Sequence, residues 1–176
     1  MNLPNLITIA RIALAPLFIW VLLLYPNPAA HERWIAVALF VLASATDGVD
    51  GALARKRNQV TDLGKLLDPI ADKVLIGGAL ISLSALGQIE WWITGIILVR
   101  ELGITIYRLS VIKDRVIAAS GGGKLKTILQ SVAVGFYLSP LAGYWAPLGA
   151  VQQIILYAAL ISTVFSGLQY LAAARR

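Results

Sequence analysis

The chain contains no cysteine, which excludes disulfides and every thiolate metal site. It has one histidine in 176 residues, so carboxylate and carbonyl oxygens are the metal ligands its side chains can offer in number. Charge is scarce too. Asp, Glu, Lys and Arg make up 14% of the chain, against about 25% in soluble domains. Hydrophobic residues account for 59% and mean hydropathy is +0.78, which argues against a water-soluble fold; five tryptophans and so apolar a composition exclude disorder. No low-complexity segment and no internal repeat is found. The length fits a single domain over 1–176.

What the chain does have is long apolar runs. Crossing a bilayer takes about 20 mostly apolar residues, and six runs qualify: 4–25, 34–55, 64–86, 89–112, 124–144 and 147–173. The predicted fold is therefore an all-α integral membrane protein of six transmembrane helices. The first run has the apolarity of a signal peptide, but Arg11 lies inside it, no basic region precedes it and no small-x-small cleavage pattern follows. It is expected to remain as a helix kinked at Pro16, its first turns near the surface.

Six crossings put both termini on one side. Eleven of the 15 basic residues flank the second and fourth connections or end the chain, among them Arg55, Lys65, Arg108, Lys124, Lys126 and Arg176, whereas the opposite connections hold only Arg33. This asymmetry predicts cytoplasmic termini in the cell membrane. Trp34, Trp91, Trp92 and Trp145 fall at the other ends of the runs, as an interfacial aromatic belt does. Topology and anionic headgroups account for the formal charge of +6, and no nucleic-acid partner is expected. Gly121, Gly122 and Gly123 lack the spacing of a phosphate-binding loop and are expected to form a flexible cytoplasmic joint.

Four aspartates share one depth. Asp47 and Asp50 are three apart on the second helix, and Asp68 and Asp72 four apart on the third, so each pair shares a helix face. Asp47 lies eight residues before Arg55 and Asp72 eight after Gly64, about 12 Å from each helix end. A short polar connection makes the two helices antiparallel neighbours, so the four carboxylates meet in matched layers inside the cytoplasmic half of the membrane. Each costs about 2.5–3.5 kcal/mol there on insertion scales, and Lys73 and Arg100 leave a charge deficit if they alone form an ion-pair network. Two divalent cations, Mg²⁺ or Mn²⁺, match the charge and the oxygen-only ligands, and paired metals serve displacement at phosphorus. Gly48, Gly51 and Ala54, with Ser44 above them, permit close helix packing and leave room for a nucleotide beside the acids.

The run Asp47-x2-Asp50-Gly51-x2-Ala54-Arg55-x8-Gly64-x3-Asp68-x3-Asp72 resembles the signature of the CDP-alcohol phosphatidyltransferases, membrane enzymes of six helices, at every fixed position. The resemblance implies that Asp47, Asp50 and Asp68 are metal ligands and that Asp72 is a ligand and the general base. It implies CDP-diacylglycerol contacts at Gly48, Gly51, Ala54 and Arg55, at Thr61 in the following loop, and at Asn5 and Thr8 of an N-terminal surface helix, where Asn5 also reads as a helix cap. A homodimer embedded among membrane lipids is implied as well.

Looser motifs, Asn2 to Thr8, Arg100-Glu101 and Gly122 to Thr127, resemble the phosphatidylglycerophosphate synthase branch. They imply transfer of the phosphatidyl group from CDP-diacylglycerol to sn-glycerol 3-phosphate, with release of CMP. Arg100 and Arg108 are eight apart, about 80° around a helix, and with Lys124 and Lys126 are candidates for binding the acceptor phosphate. Cardiolipin synthase and phosphatidylinositol-phosphate synthase are alternatives within the family. A cation transporter with intramembrane aspartates is the alternative outside it, although the paired broken helices of such transporters are missing.

Overall fold

A lipid-embedded backbone has no water to bond its N–H and C=O groups, so each crossing must satisfy them internally, and helices do so. The computed structural model describes residues 3–56, 62–111 and 121–174, with side chains at 6–46, 67–107 and 125–172. Among the described residues the regular elements are all helices: α1 Leu3–Leu24, α2 Arg33–Lys56, α3 Asp62–Ala85, α4 Trp91–Val111, α5 Gly121–Leu138, α6 Leu141–Tyr144 and α7 Pro147–Ala174. Two segments, Leu6–Leu24 and Pro147–Ala172, are long and apolar enough by themselves to cross a membrane, and Arg33–Thr46 and Leu125–Leu138 are shorter apolar stretches. Helix α3 carries charges through its first half, and α4 carries Arg100 and Glu101 near its middle.

Two expectations change. The run 124–144 is two helices, because α5 stops at Leu138 and α6 begins after Pro140. Proline has no N–H and disfavours helical backbone in the residue before it. The Phe136 carbonyl, whose N–H partner four residues on would be Pro140, accepts instead from the Ser139 hydroxyl at 2.8 Å and from Gln152 Nε2 at 2.7 Å. Gly121 to Gly123 are the first turn of α5 instead of a joint, propagated from the apolar helix that follows. As expected, the first run is a helix, and Pro16 lies inside it.

Helix α1 packs on both α2 and α3, and α5 packs on α7. Small residues permit the approach: Ala15, Ala36, Ala43 and Ala79 are fully buried. At Gly78 a Cβ would lie 2.7 Å from Ile19 Cδ1, so the glycine lets the Ile19 side chain of α1 pack against α3. Phe18 and Phe40 meet edge to face, centroids 5.9 Å apart. The opposite faces expose Trp20, Val99, Ile154, Ile161 and Phe165, the apolar exterior of a membrane protein.

One end of the bundle is tied by a buried cation. Arg33 is fully buried; its Nη1 donates to Gln88 Oε1 at 3.0 Å and its Nη2 to the Tyr137 carbonyl at 3.1 Å. Gln88 Nε2 donates in turn to the Pro26 carbonyl. The connections after α1 and α3 and the end of α5 are thereby joined, which fixes the helices that carry charge at the other end.

Candidate functional site

Asp68 and Asp72 lie one turn apart on α3, both half-buried, as their spacing predicts. The Thr8 hydroxyl, 1% exposed, donates to Asp68 Oδ1 at 3.0 Å. One turn further along α1, Arg11 is also 1% exposed, and its Nε donates to Thr46 Oγ1 at 3.4 Å. Thr46 immediately precedes Asp47 and donates to the Ala43 carbonyl at 2.7 Å. A single turn of α1 therefore touches both acid-bearing helices. Thr8, expected at the nucleotide, bonds a carboxylate of α3, and Arg11 joins Lys73 and Arg100 as a cation within the helices.

Asp47, Gly48, Asp50, Gly51, Ala54 and Arg55 belong to the C-terminal part of α2, and their side chains lie outside the described residues, as do those of Asn5, Arg108 and Lys124. Thr61 lies outside them altogether. Among the described residues no three His, Cys, Asp or Glu side chains gather into a metal-holding group; two of the four aspartates contribute to that comparison. The donor chemistry fits a hard divalent cation, since both described acids offer oxygen only. Asp68 further carries the kind of outer hydrogen bond, from Thr8, that orients a ligating carboxylate.

A second polar cluster joins α4, α5 and α7. Glu101 Oε1 accepts from Lys126 Nζ at 2.6 Å and from Arg100 Nη1 at 2.9 Å. Arg100 Nη2 donates to Ser166 Oγ at 2.7 Å, and Gln130 Nε2 to Thr163 Oγ1 at 2.9 Å. Lys126 interacts electrostatically with Asp72, and Glu101 with Lys73, so this cluster and the aspartate face of α3 are neighbours. Lys126, counted in sequence as a loop-flanking charge, is buried. Sequence reasoning singled out Arg100, Glu101 and Lys126 but missed Gln130, Thr163 and Ser166, because a lone hydroxyl or amide within an apolar helix has no distinguishing spacing.

The family model described as CDP-alcohol phosphatidyltransferase matches residues 1–165. The chain is 46% identical over 99% of its length, and 82% of the relative's, to the "Probable phosphatidylglycerophosphate synthase" of Mycobacterium tuberculosis. It is 39% identical to the CDP-diacylglycerol--glycerol-3-phosphate 3-phosphatidyltransferase of Bacillus subtilis over 96% of this chain and 93% of that one. The protein of the same name from Rickettsia bellii is 41% identical over 99% of this chain and 96% of its own.

Proposed function

The chain belongs to the CDP-alcohol phosphatidyltransferase family, and on that premise we infer that it transfers the phosphatidyl group of CDP-diacylglycerol to sn-glycerol 3-phosphate, giving phosphatidylglycerophosphate and CMP. The observation that carries this reading is the near full-length likeness to relatives named for that reaction. The acid-bearing face of α3 beside a cationic cluster supports it.

The acceptor's primary hydroxyl attacks the phosphorus that bears the diacylglycerol. A new P–O bond forms, the bond to the CMP phosphate breaks in line with it, and the hydroxyl proton passes to Asp72. The family is generally metal-dependent, and Asp47, Asp50, Asp68 and Asp72 would hold two Mg²⁺ or Mn²⁺ ions, which stabilise charge on the diphosphate when bound. Gly48, Gly51, Ala54, Arg55, Thr61 and Asn5 bind the nucleotide part of CDP-diacylglycerol; Thr8 acts there through Asp68. Arg100, Arg108, Lys124 and Lys126 bind the acceptor phosphate.

The chain forms one domain of six crossings over 1–176, with both termini and the site facing the cytoplasm, and assembles as a homodimer among membrane lipids. Positive charge at that face serves topology, not nucleic acid. An acceptor panel tests the reading. Purified protein with CDP-diacylglycerol should release CMP with glycerol 3-phosphate and not with inositol phosphate, serine or phosphatidylglycerol. Turnover with phosphatidylglycerol alone would reassign the acceptor.

A further inference from the structure

Arg100 leaves α4 beside its own sequence neighbour, Glu101, yet the two side chains meet at 2.9 Å. Neighbouring residues on a helix project about 100° apart, so the long Arg100 stem must bend towards Glu101, and a stem with that much rotamer freedom does not hold one bend unaided. The constraint comes from α7. Ser166 Oγ accepts from Arg100 Nη2 at 2.7 Å while donating to the Thr163 carbonyl at 3.0 Å. Its proton is therefore committed to its own helix, and only its lone pairs face the guanidinium. The next residue is Gly167. A Cβ there would lie 3.2 Å from Arg100 Cγ and 3.3 Å from Nε, so the stem runs directly over the α7 backbone.

We propose that Ser166 and Gly167 of α7 are positioning residues that hold the Arg100 guanidinium in the orientation that receives the acceptor phosphate. The inference rests on the assignment of Arg100 to that phosphate under the proposed function. One further feature favours it over simple stapling of α4 to α7. Helix α7 places its hydroxyls selectively: Thr163 Oγ1 accepts from Gln130, and Ser166 alone accepts from the arginine. Specificity for a phosphorylated acceptor is thus set partly by a helix that supplies no charge of its own to the cluster.

The test compares Ser166→Ala, Ser166→Thr and Gly167→Ala with Arg100→Ala in the full-length purified protein, measuring KM for each substrate, kcat and thermal melting. Ser166→Ala is expected to raise the KM for glycerol 3-phosphate about 10-fold, with the KM for CDP-diacylglycerol and the melting temperature unchanged. Ser166→Thr, which keeps the acceptor oxygen, should restore most of it, and Gly167→Ala should shift the same KM by displacing the stem. If Arg100→Ala raises that KM and Ser166→Ala does not, the positioning role is wrong and the acceptor assignment stands. An unchanged acceptor KM in Arg100→Ala overturns both. Equal rises in the two KM values, or loss of folded protein in both the Ser166→Ala and Gly167→Ala variants, would make the pair a packing element and overturn the proposal.

Discussion

Thr8→Val is the most direct probe of the carboxylate face, because it keeps the side-chain shape and deletes one hydroxyl. Thr8 is 1% exposed, and its hydroxyl donates to the half-buried Asp68 Oδ1 at 3.0 Å. A hydrogen bond to a charged group contributes about 1.5–3 kcal/mol. If Asp68 ligates a metal, losing a bond that orients it weakens metal binding by about 10- to 100-fold. The assay has two readouts. Mn²⁺ titration followed by the loss of its free-ion paramagnetic signal reports binding without turnover, and CMP release at graded Mg²⁺ reports the functional half-saturation. Both midpoints should rise together in Thr8→Val, turnover should recover at saturating metal, and Thr8→Ser should behave as the parent protein. Unchanged midpoints together with a higher KM for CDP-diacylglycerol would refute this reasoning and return Thr8 to direct contact with the nucleotide.

Asn in place of Asp47, Asp50, Asp68 or Asp72 removes a charge at constant shape, so each variant should insert and fold yet lose nearly all CMP release; wild-type turnover by Asp68→Asn at limiting Mg²⁺ would contradict the two-metal site. Arg100→Ala should raise the KM for glycerol 3-phosphate by about 10- to 150-fold, the equivalent of one charge-assisted hydrogen bond, and Arg100→Lys should recover only part because it keeps charge without the fork. Arg33→Met leaves the Tyr137 carbonyl and Gln88 Oε1 without their buried donor, so it should lower stability by about 2–4 kcal/mol, read as a lower melting temperature with both KM values intact.

The features legible in the sequence were those that the bilayer imposes. The shared face of Asp68 and Asp72 follows from helical spacing, and the described part of α3 agrees with it. Local backbone chemistry was less legible. An unbroken apolar stretch hid the stop at Ser139–Pro140, and three glycines that looked like a joint open α5. The hydroxyl partners were not legible at all, for a physical reason. Ser82, Thr105 and Thr163 each donate to the carbonyl four residues earlier, a bond every helical Ser or Thr has within reach. Thr8 donates instead to another helix, and Ser166 accepts from one, and spacing does not distinguish the two uses.

Lys126 makes the same point for charge. Counted in sequence it is one more basic residue near a loop; in the fold it is buried against Glu101, which also bonds Arg100. Within the cluster one carboxylate stands between two cations and leaves a positive excess, which Asp72 offsets in part from α3. Serine or inositol as acceptor would leave that excess as it is. A phosphate monoester would cancel it at the moment of binding, which is why, under the proposed function, selection among acceptors should depend on this three-helix cluster and be separable by mutation from the aspartates that serve the family's common chemistry.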